Sequence, residues 1–276
     1  MAALKTTMQA DAAVISSDFA YRVSLSLAGI AAFLACWALA AYFEIVSPHF
    51  LPQPTVVLNT MVDLTREPYS GSLLQQHLLA SLDKFALSYL LAATLGVPLG
   101  LAMGRFRPID WAVSPVFEAL RFVPPIAWVP FSILWFGTGF LAPTLVIFAG
   151  AFSPCVVNSY RGAKLVDRPL LEAAQTLGAG RLRTIAEILL PAALPHIVAG
   201  LRVGAGFGWQ SLIGAELIVG ATGLGYMIVQ GESNLDAAVV ISGMITIGLV
   251  GATIDFLMRA AERRIRRKWG QQDGNE

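Results

Sequence analysis

Six long apolar stretches constrain this chain more than any other feature of its sequence. A helix needs about 20 consecutive apolar residues to cross the hydrocarbon core of a bilayer. Stretches 23–43, 85–104 and 140–160 meet that length without a charged residue, and 111–136, 196–219 and 237–258 meet it with a few ionisable ones. Only 13% of the 276 residues are charged and 56% are hydrophobic, where a soluble domain carries about a quarter charged. The fold class is therefore all-α integral membrane, with about six transmembrane helices.

Within that frame the domain organisation is a segment 1–22, a membrane domain 23–258 and a basic tail 259–276. The first stretch reads as an uncleaved anchor: Asp11 and Asp18 precede it and the apolar run is too long for a signal peptide. Gly96, Gly100 and Gly104 make two small-xxx-small steps and predict close packing of the second span on a neighbour. Cys36 and Cys155 lie in apolar runs, far apart, and read as core or lipid-facing residues.

Basic residues at span ends mark the cytoplasmic side. Lys5 and Arg22 precede the first span, Arg105 and Arg107 follow the second, and Arg161, Lys164, Arg168, Arg181 and Arg183 lie between the fourth and fifth. Arg259, Arg263, Arg264, Arg266, Arg267 and Lys268 follow the sixth, whereas the opposite connections hold only Arg66 and Lys84. Both termini are expected in the cytoplasm. The outer connection, 44–84, contains Val57, Leu58, Met61, Val62 and Thr65 at helical spacing behind Thr55, an expected N-cap. It reads as a short helix at the membrane surface or a contact for a partner.

The inner connection, 161–195, is the most informative. Asp167 and Pro169 start a helix, Leu170 to Leu177 continue it, and Gly178 with Ala179-Gly180 ends it in a bend. A second helical stretch places Leu182, Ile185, Ile188 and Leu189 on one side, and Pro191 and Pro195 are expected to separate it from the fifth span. On physical grounds alone, this hairpin either transmits force to a partner or lies on the inner leaflet.

Glu172-Ala173-Ala174, then Gly178, then Ile188-x-Leu190-Pro191 resembles the EAA motif of ABC importer permeases, including its internal spacing. Ser47-Pro48-x-Phe50-Leu51-Pro52-x-Pro54, Arg121-x-x-Pro124-Pro125-x-Ala127-Trp128-x-Pro130 and Gly223-Leu224-Gly225 resemble the nitrate/sulfonate/taurine branch, the taurine permeases above all. The resemblance implies a type I ABC importer permease (MetI-like) fold in a bacterial inner membrane. It implies a homodimer of two permease copies, two ABC ATPase subunits below and a periplasmic solute-binding protein above. It makes Glu172, Ala173, Ala174, Gly178, Ile188, Leu190 and Pro191 the ATPase-coupling residues, on a coupling helix. No phosphate loop of the G-x-x-x-x-G-K-[ST] form occurs, nor H-E-x-x-H. The chain is thus expected to be no enzyme and to bind no metal or cofactor of its own, with ATP and Mg²⁺ on the partner ATPase. Nothing points to nucleic acid.

Each ionisable group in a span needs a reason, since a charge at the bilayer centre costs roughly 2.5–3.5 kcal/mol on insertion scales. Glu118 and Arg121 share a helix face and form either a self-contained pair or a site where Arg121 meets an anionic solute. Pro124-Pro125 breaks the helix just beyond, as happens where backbone lines protein or a cavity. Arg202 is expected to snorkel, Asp255 to pair with the basic tail, and Glu216 to lie within reach of water, capping a packing contact or an outer gate. Gly204, Gly206 and Gly208 bare one stretch of the fifth span, which suits a dimer seam or a pore wall. The path candidates are therefore Glu118, Arg121, Pro124, Pro125, Arg202 and Glu216.

An intramembrane enzyme using Glu118, Glu216 and Asp255 lacks a paired-carboxylate motif, and an ion-coupled carrier lacks a visible repeat. The expected activity is alternating access driven by the ATPase. The expected cargo is a small sulfonate, taurine first, with nitrate, another alkanesulfonate or a small heterocycle as alternatives.

Overall fold

The computed structural model describes residues 2–268. The segment from Trp269 onward lies outside the described residues, as do the side chains of Lys5, Asp11, Asp18, Arg22, Arg168, Arg267 and Lys268. The described chain is helical: α1 (Ala2–Tyr42), α2 (Pro54–Arg66), α3 (Leu74–Arg105), α4 (Arg107–Arg121), α5 (Val129–Phe136) and α6 (Leu141–Lys164) come first. Then follow α7 (Arg168–Thr176), α8 (Arg181–Thr184), α9 (Leu190–Val219), α10 (Leu224–Ser233) and α11 (Ala237–Lys268).

Among the described residues, five helices are long and apolar enough to cross a membrane: α1, α3, α6, the run from α8 through α9, and α11. The sixth apolar stretch is not one straight span. It is α4 followed by a short 3-10 turn and α5, bent by 95° between them. Pro124 and Pro125 sit in that bend and cannot donate backbone hydrogen bonds, so the break expected from them is realised.

The bundle is built around α6, which packs along both α3 and α9. Glycine sets the closeness. A Cβ on Gly100 would strike the Val156 carbonyl and Ser159, and one on Gly104 would strike Ala163. Gly96 likewise faces Cys155 and Phe152, so the predicted tight face of α3 is its contact with α6. Gly204 and Gly208 also pack within the chain, against Ala151 and Cys155 of α6, while Gly206 has open space. The dimer-seam expectation for this stretch is thereby corrected at two of its three positions. Cys155 is buried and Cys36 exposed, as read from their apolar runs.

The outward surface is apolar, with Leu79, Leu90 and Leu95 of α3 and Phe256 and Leu257 of α11 exposed, as a lipid-facing bundle requires. α1 stands apart, touching α2, and the Trp37 indole donates to the Pro52 carbonyl at 3.1 Å. α2 packs on α11 through Val57, whose carbonyl accepts from Ser242 at 3.3 Å. Its N-cap is Gln53, not Thr55, because Pro54 already supplies the fixed φ of the first turn.

Two expected boundaries move. The second span begins at Leu74, so Lys84, counted with the outer connection, lies inside α3. The hairpin's second helix does not stop at Pro191: α8, a π turn over 185–189 and α9 form one run of 39 residues. The Leu190 N–H reaches the Ile185 carbonyl, five residues back. That wider turn absorbs the donor missing at Pro191 without breaking the helix. At 1.5 Å per residue the run is ~58 Å long, about twice the hydrocarbon thickness, so one end projects from the membrane.

Candidate functional site

The projecting end carries the segment singled out from sequence. α7 begins one residue after Asp167, whose carbonyl accepts the Leu170 N–H at 3.1 Å. It ends in a bend where Gly178 has φ +80°, a conformation that costs other residues roughly 1–2 kcal/mol. The Ala179 N–H returns to the Ala174 carbonyl at 2.9 Å, closing the elbow. Ala174 is buried while Glu172, Ala173 and Gly178 are exposed. Leu177 and Leu182, on either side of the elbow, are 87% and 84% exposed.

The root of the hairpin is firmly held. Leu189 is buried with Ala163 and Val166, and Leu101 and Ile185 pack against them. Ile188 and Pro191 are half-buried and Leu190 is exposed. The hairpin root thus touches α3 and α6 through packed side chains and joins α9 through one helical run.

The intramembrane charges fall into three groups. Arg121 Nε donates to Glu118 Oε2 at 2.6 Å, the expected i,i+3 pair, and its guanidinium lies 4.6 Å from the Phe122 ring centroid. Arg121 also lines a cavity of about 420 Å³ walled by Phe117, Trp128, Phe148, Phe152 and Phe207. Pro125 contributes to the same wall, so the helix break borders a cavity.

Arg202 does not snorkel alone. Its Nε donates to Asp255 at 3.0 Å and its Nη1 to Glu262 at 3.3 Å, tying α9 to α11. Asp255 also pairs with Arg259, at the start of the basic segment, as expected.

Glu216 departs from expectation. It is 1% exposed and out of reach of water. Its carboxylate takes hydrogen bonds from the Ser81 hydroxyl at 2.8 Å, the Lys84 ammonium at 2.8 Å and the Gly225 N–H at 3.0 Å. Lys84 also donates to the Thr222 carbonyl at 2.5 Å, and Ser81 accepts the Leu224 N–H at 2.9 Å. Three elements meet there: α3, the end of α9 and the Gly-Leu-Gly turn opening α10. Gly223 and Gly225 are required, since a Cβ on either would collide with Glu216. It caps a packing contact, as one reading had it, and the water-accessible position is wrong.

Lys84 and Ser81 are the residues that sequence reasoning missed. The available signal was a polar stripe on α3: His77, Ser81, Lys84 and Ser88 recur at helical spacing and all four are buried. In a membrane helix such a stripe faces the bundle.

Residues 96–267 match the protein family described as binding-protein-dependent transport system inner membrane component. The taurine transport system permease protein of Escherichia coli (strain K12) is 36% identical over 88% of this chain and 89% of its own length. A putative aliphatic sulfonates transport permease protein of Bacillus subtilis (strain 168) is 35% identical, covering 87% and 85%. A nitrate import permease protein of Leptolyngbya laminosa is 33% identical, covering 77% and 78%. Among solved structures, a chain of an inward-facing MetNI methionine ABC transporter superposes with a TM-score of 0.62 at 22% identity, over 70% of this chain and 95% of that one. That likeness shows the type I importer permease fold.

Proposed function

The chain belongs to the family of binding-protein-dependent transport system inner membrane components, and on that premise we propose that it carries a small sulfonate, taurine first, through a bacterial inner membrane. It is a multi-pass permease subunit of an ABC importer, and ATP hydrolysis belongs to a separate ATPase. The relatives' names include taurine, aliphatic sulfonates and nitrate. What unites those solutes is a compact, delocalised oxyanion.

The observation that carries the mechanism is the rigid hairpin with its apolar tip. Leu177 and Leu182 stand exposed beside an elbow fixed by Gly178, on helices whose root is packed into α3 and α6. In our reading the segment 172–191 is the EAA motif and docks in the ATPase. Glu172, Ala173 and Gly178 form the contact. Ala174 holds the elbow, and Ile188, Leu190 and Pro191 pass the motion to α9. In this reading the hairpin and both termini lie in the cytoplasm, which the excess of Arg and Lys at those span ends supports. Two permease copies and two ATPases assemble, with the binding protein on the opposite face.

For the cargo, the supporting feature is the aromatic-walled cavity with Arg121 in its lining. A guanidinium presents a planar fork of donors suited to an oxyanion, and Glu118 holds it in place until a solute competes for it. A purified complex with its cognate binding protein tests this directly. Taurine should stimulate ATP turnover more than nitrate or an alkanesulfonate lacking the amine. Stimulation by nitrate alone would overturn the sulfonate assignment.

A further inference from the structure

A cleft of about 900 Å³ lies at the hairpin end, and of the docking residues named above only Glu172 reaches it. Arg105, Arg107, Trp111, Lys164 and Glu172 line it. A second cleft of about 500 Å³ shares Arg105 and Phe106 with the first and is closed by Arg181 and Thr184 of α8. The corner between α3 and α4 therefore sits between the two arms of the hairpin, with a cleft on each side. α7 itself packs on α8 and the π turn.

The charges in these clefts do not cancel. Lys164 is matched by Asp110 at 3.2 Å. Arg105, Arg107 and Arg181 have no carboxylate partner among the described residues, against the one unpaired carboxylate of Glu172. Three arginines without a carboxylate partner line the two clefts, a charge balance that suits an anion. The lining is also aromatic: Trp111 is 74% exposed and Phe106 38%. A soluble anion has no use for such a lining, whereas a lipid uses both parts. Arg105 and Arg107 also mark where two membrane helices end and begin, the depth at which headgroups lie.

We propose that these clefts bind the phosphate headgroup of an anionic phospholipid from the inner leaflet, and that the headgroup props the hairpin where the ATPase meets it. The inference rests on the cytoplasmic placement given above. Basic pockets between membrane helices are general headgroup sites. Here the site touches both arms of the drive element, so lipid composition would set the coupling between ATP turnover and uptake.

The test uses the full permease–ATPase complex in vesicles of phosphatidylcholine with a graded share of phosphatidylglycerol, spiked with photoactivatable analogues of either lipid. Phosphatidylglycerol should label the segment 103–111 preferentially. The double variant Arg105→Gln/Arg107→Gln should lower that labelling by about tenfold to thirtyfold, given the typical attraction per basic residue near an anionic surface. Arg105→Lys/Arg107→Lys should retain most of it. Uptake per ATP should rise with phosphatidylglycerol in wild type and stay flat in the glutamine variant. Equal labelling by phosphatidylcholine, or displacement by millimolar inorganic phosphate, would overturn the lipid assignment. So would loss of ATPase co-purification in the glutamine variant with labelling unchanged, which would make the corner an ATPase contact. If a membrane-impermeant reagent reaches Leu177→Cys from outside while labelling persists, the leaflet is wrong and the headgroup site stands.

Discussion

Lys84 of α3 and Glu216 of α9 form a 2.8 Å ion pair in the bundle interior, with side chains 5% and 0% exposed. Neither charge is tolerable there alone, and each holds the other in place. Removing one partner of a buried pair typically costs about 3–5 kcal/mol. Glu216→Gln should be the harsher change, because the ammonium keeps only the Thr222 carbonyl and a neutral amide. In Lys84→Met the carboxylate keeps the Ser81 hydroxyl and the Gly225 N–H. The double variant Lys84→Met/Glu216→Leu should be less destabilised than the sum of the singles. Thermal unfolding of the detergent-solubilised variants measures this, and additive losses would refute it.

The glycines divide by what faces them. Gly100→Ala drives a methyl into the Val156 carbonyl and Ser159, so α3 and α6 must separate. Overpacking of that kind costs about 1–3 kcal/mol. Gly206→Ala meets open space in this chain and should stay within about 0.5 kcal/mol. Comparing the melting of the two variants checks the contrast.

At the elbow, Leu177→Asp and Leu182→Asp should leave the permease folded, since both side chains are almost fully exposed. Each should weaken ATPase retention at least tenfold in co-purification. Unimpaired retention by both would show that the tip is not the docking surface.

Arg121→Lys keeps the charge and loses the planar fork, and Arg121→Gln loses both. Transport of a sulfonate should fall in that order, with ATPase assembly unchanged. Equal transport by all three proteins would make the Glu118–Arg121 pair structural.

Much of this was legible in the sequence because it is local. Apolar length gave the spans, Pro124-Pro125 the 95° bend, and Gly178 the elbow with positive φ. The Glu118–Arg121 pair follows from their spacing along one helix face. The Lys84–Glu216 pair was hidden because 132 residues separate its members and only packing brings them together. Most of its polar stripe on α3 precedes the charge-free run that begins at Phe85, so apolar length alone leaves His77, Ser81 and Lys84 outside the span. Proline at position 191 read as a stop, because the sequence does not show that a π turn can absorb it. The partner of Gly204 and Gly208 proved to be α6, since glycine spacing signals close approach without naming what approaches.

The central claim is that a separate ATPase drives this permease through the 172–191 hairpin. Its most direct test is solute uptake and ATP turnover measured together in proteoliposomes holding permease, ATPase and binding protein, comparing wild type with Glu172→Lys and Gly178→Asp. Wild type should move solute only with ATP and both partners present, and the variants should lose uptake while their membrane helices stay folded. Uptake without the ATPase, or full coupling in both variants, would contradict the account.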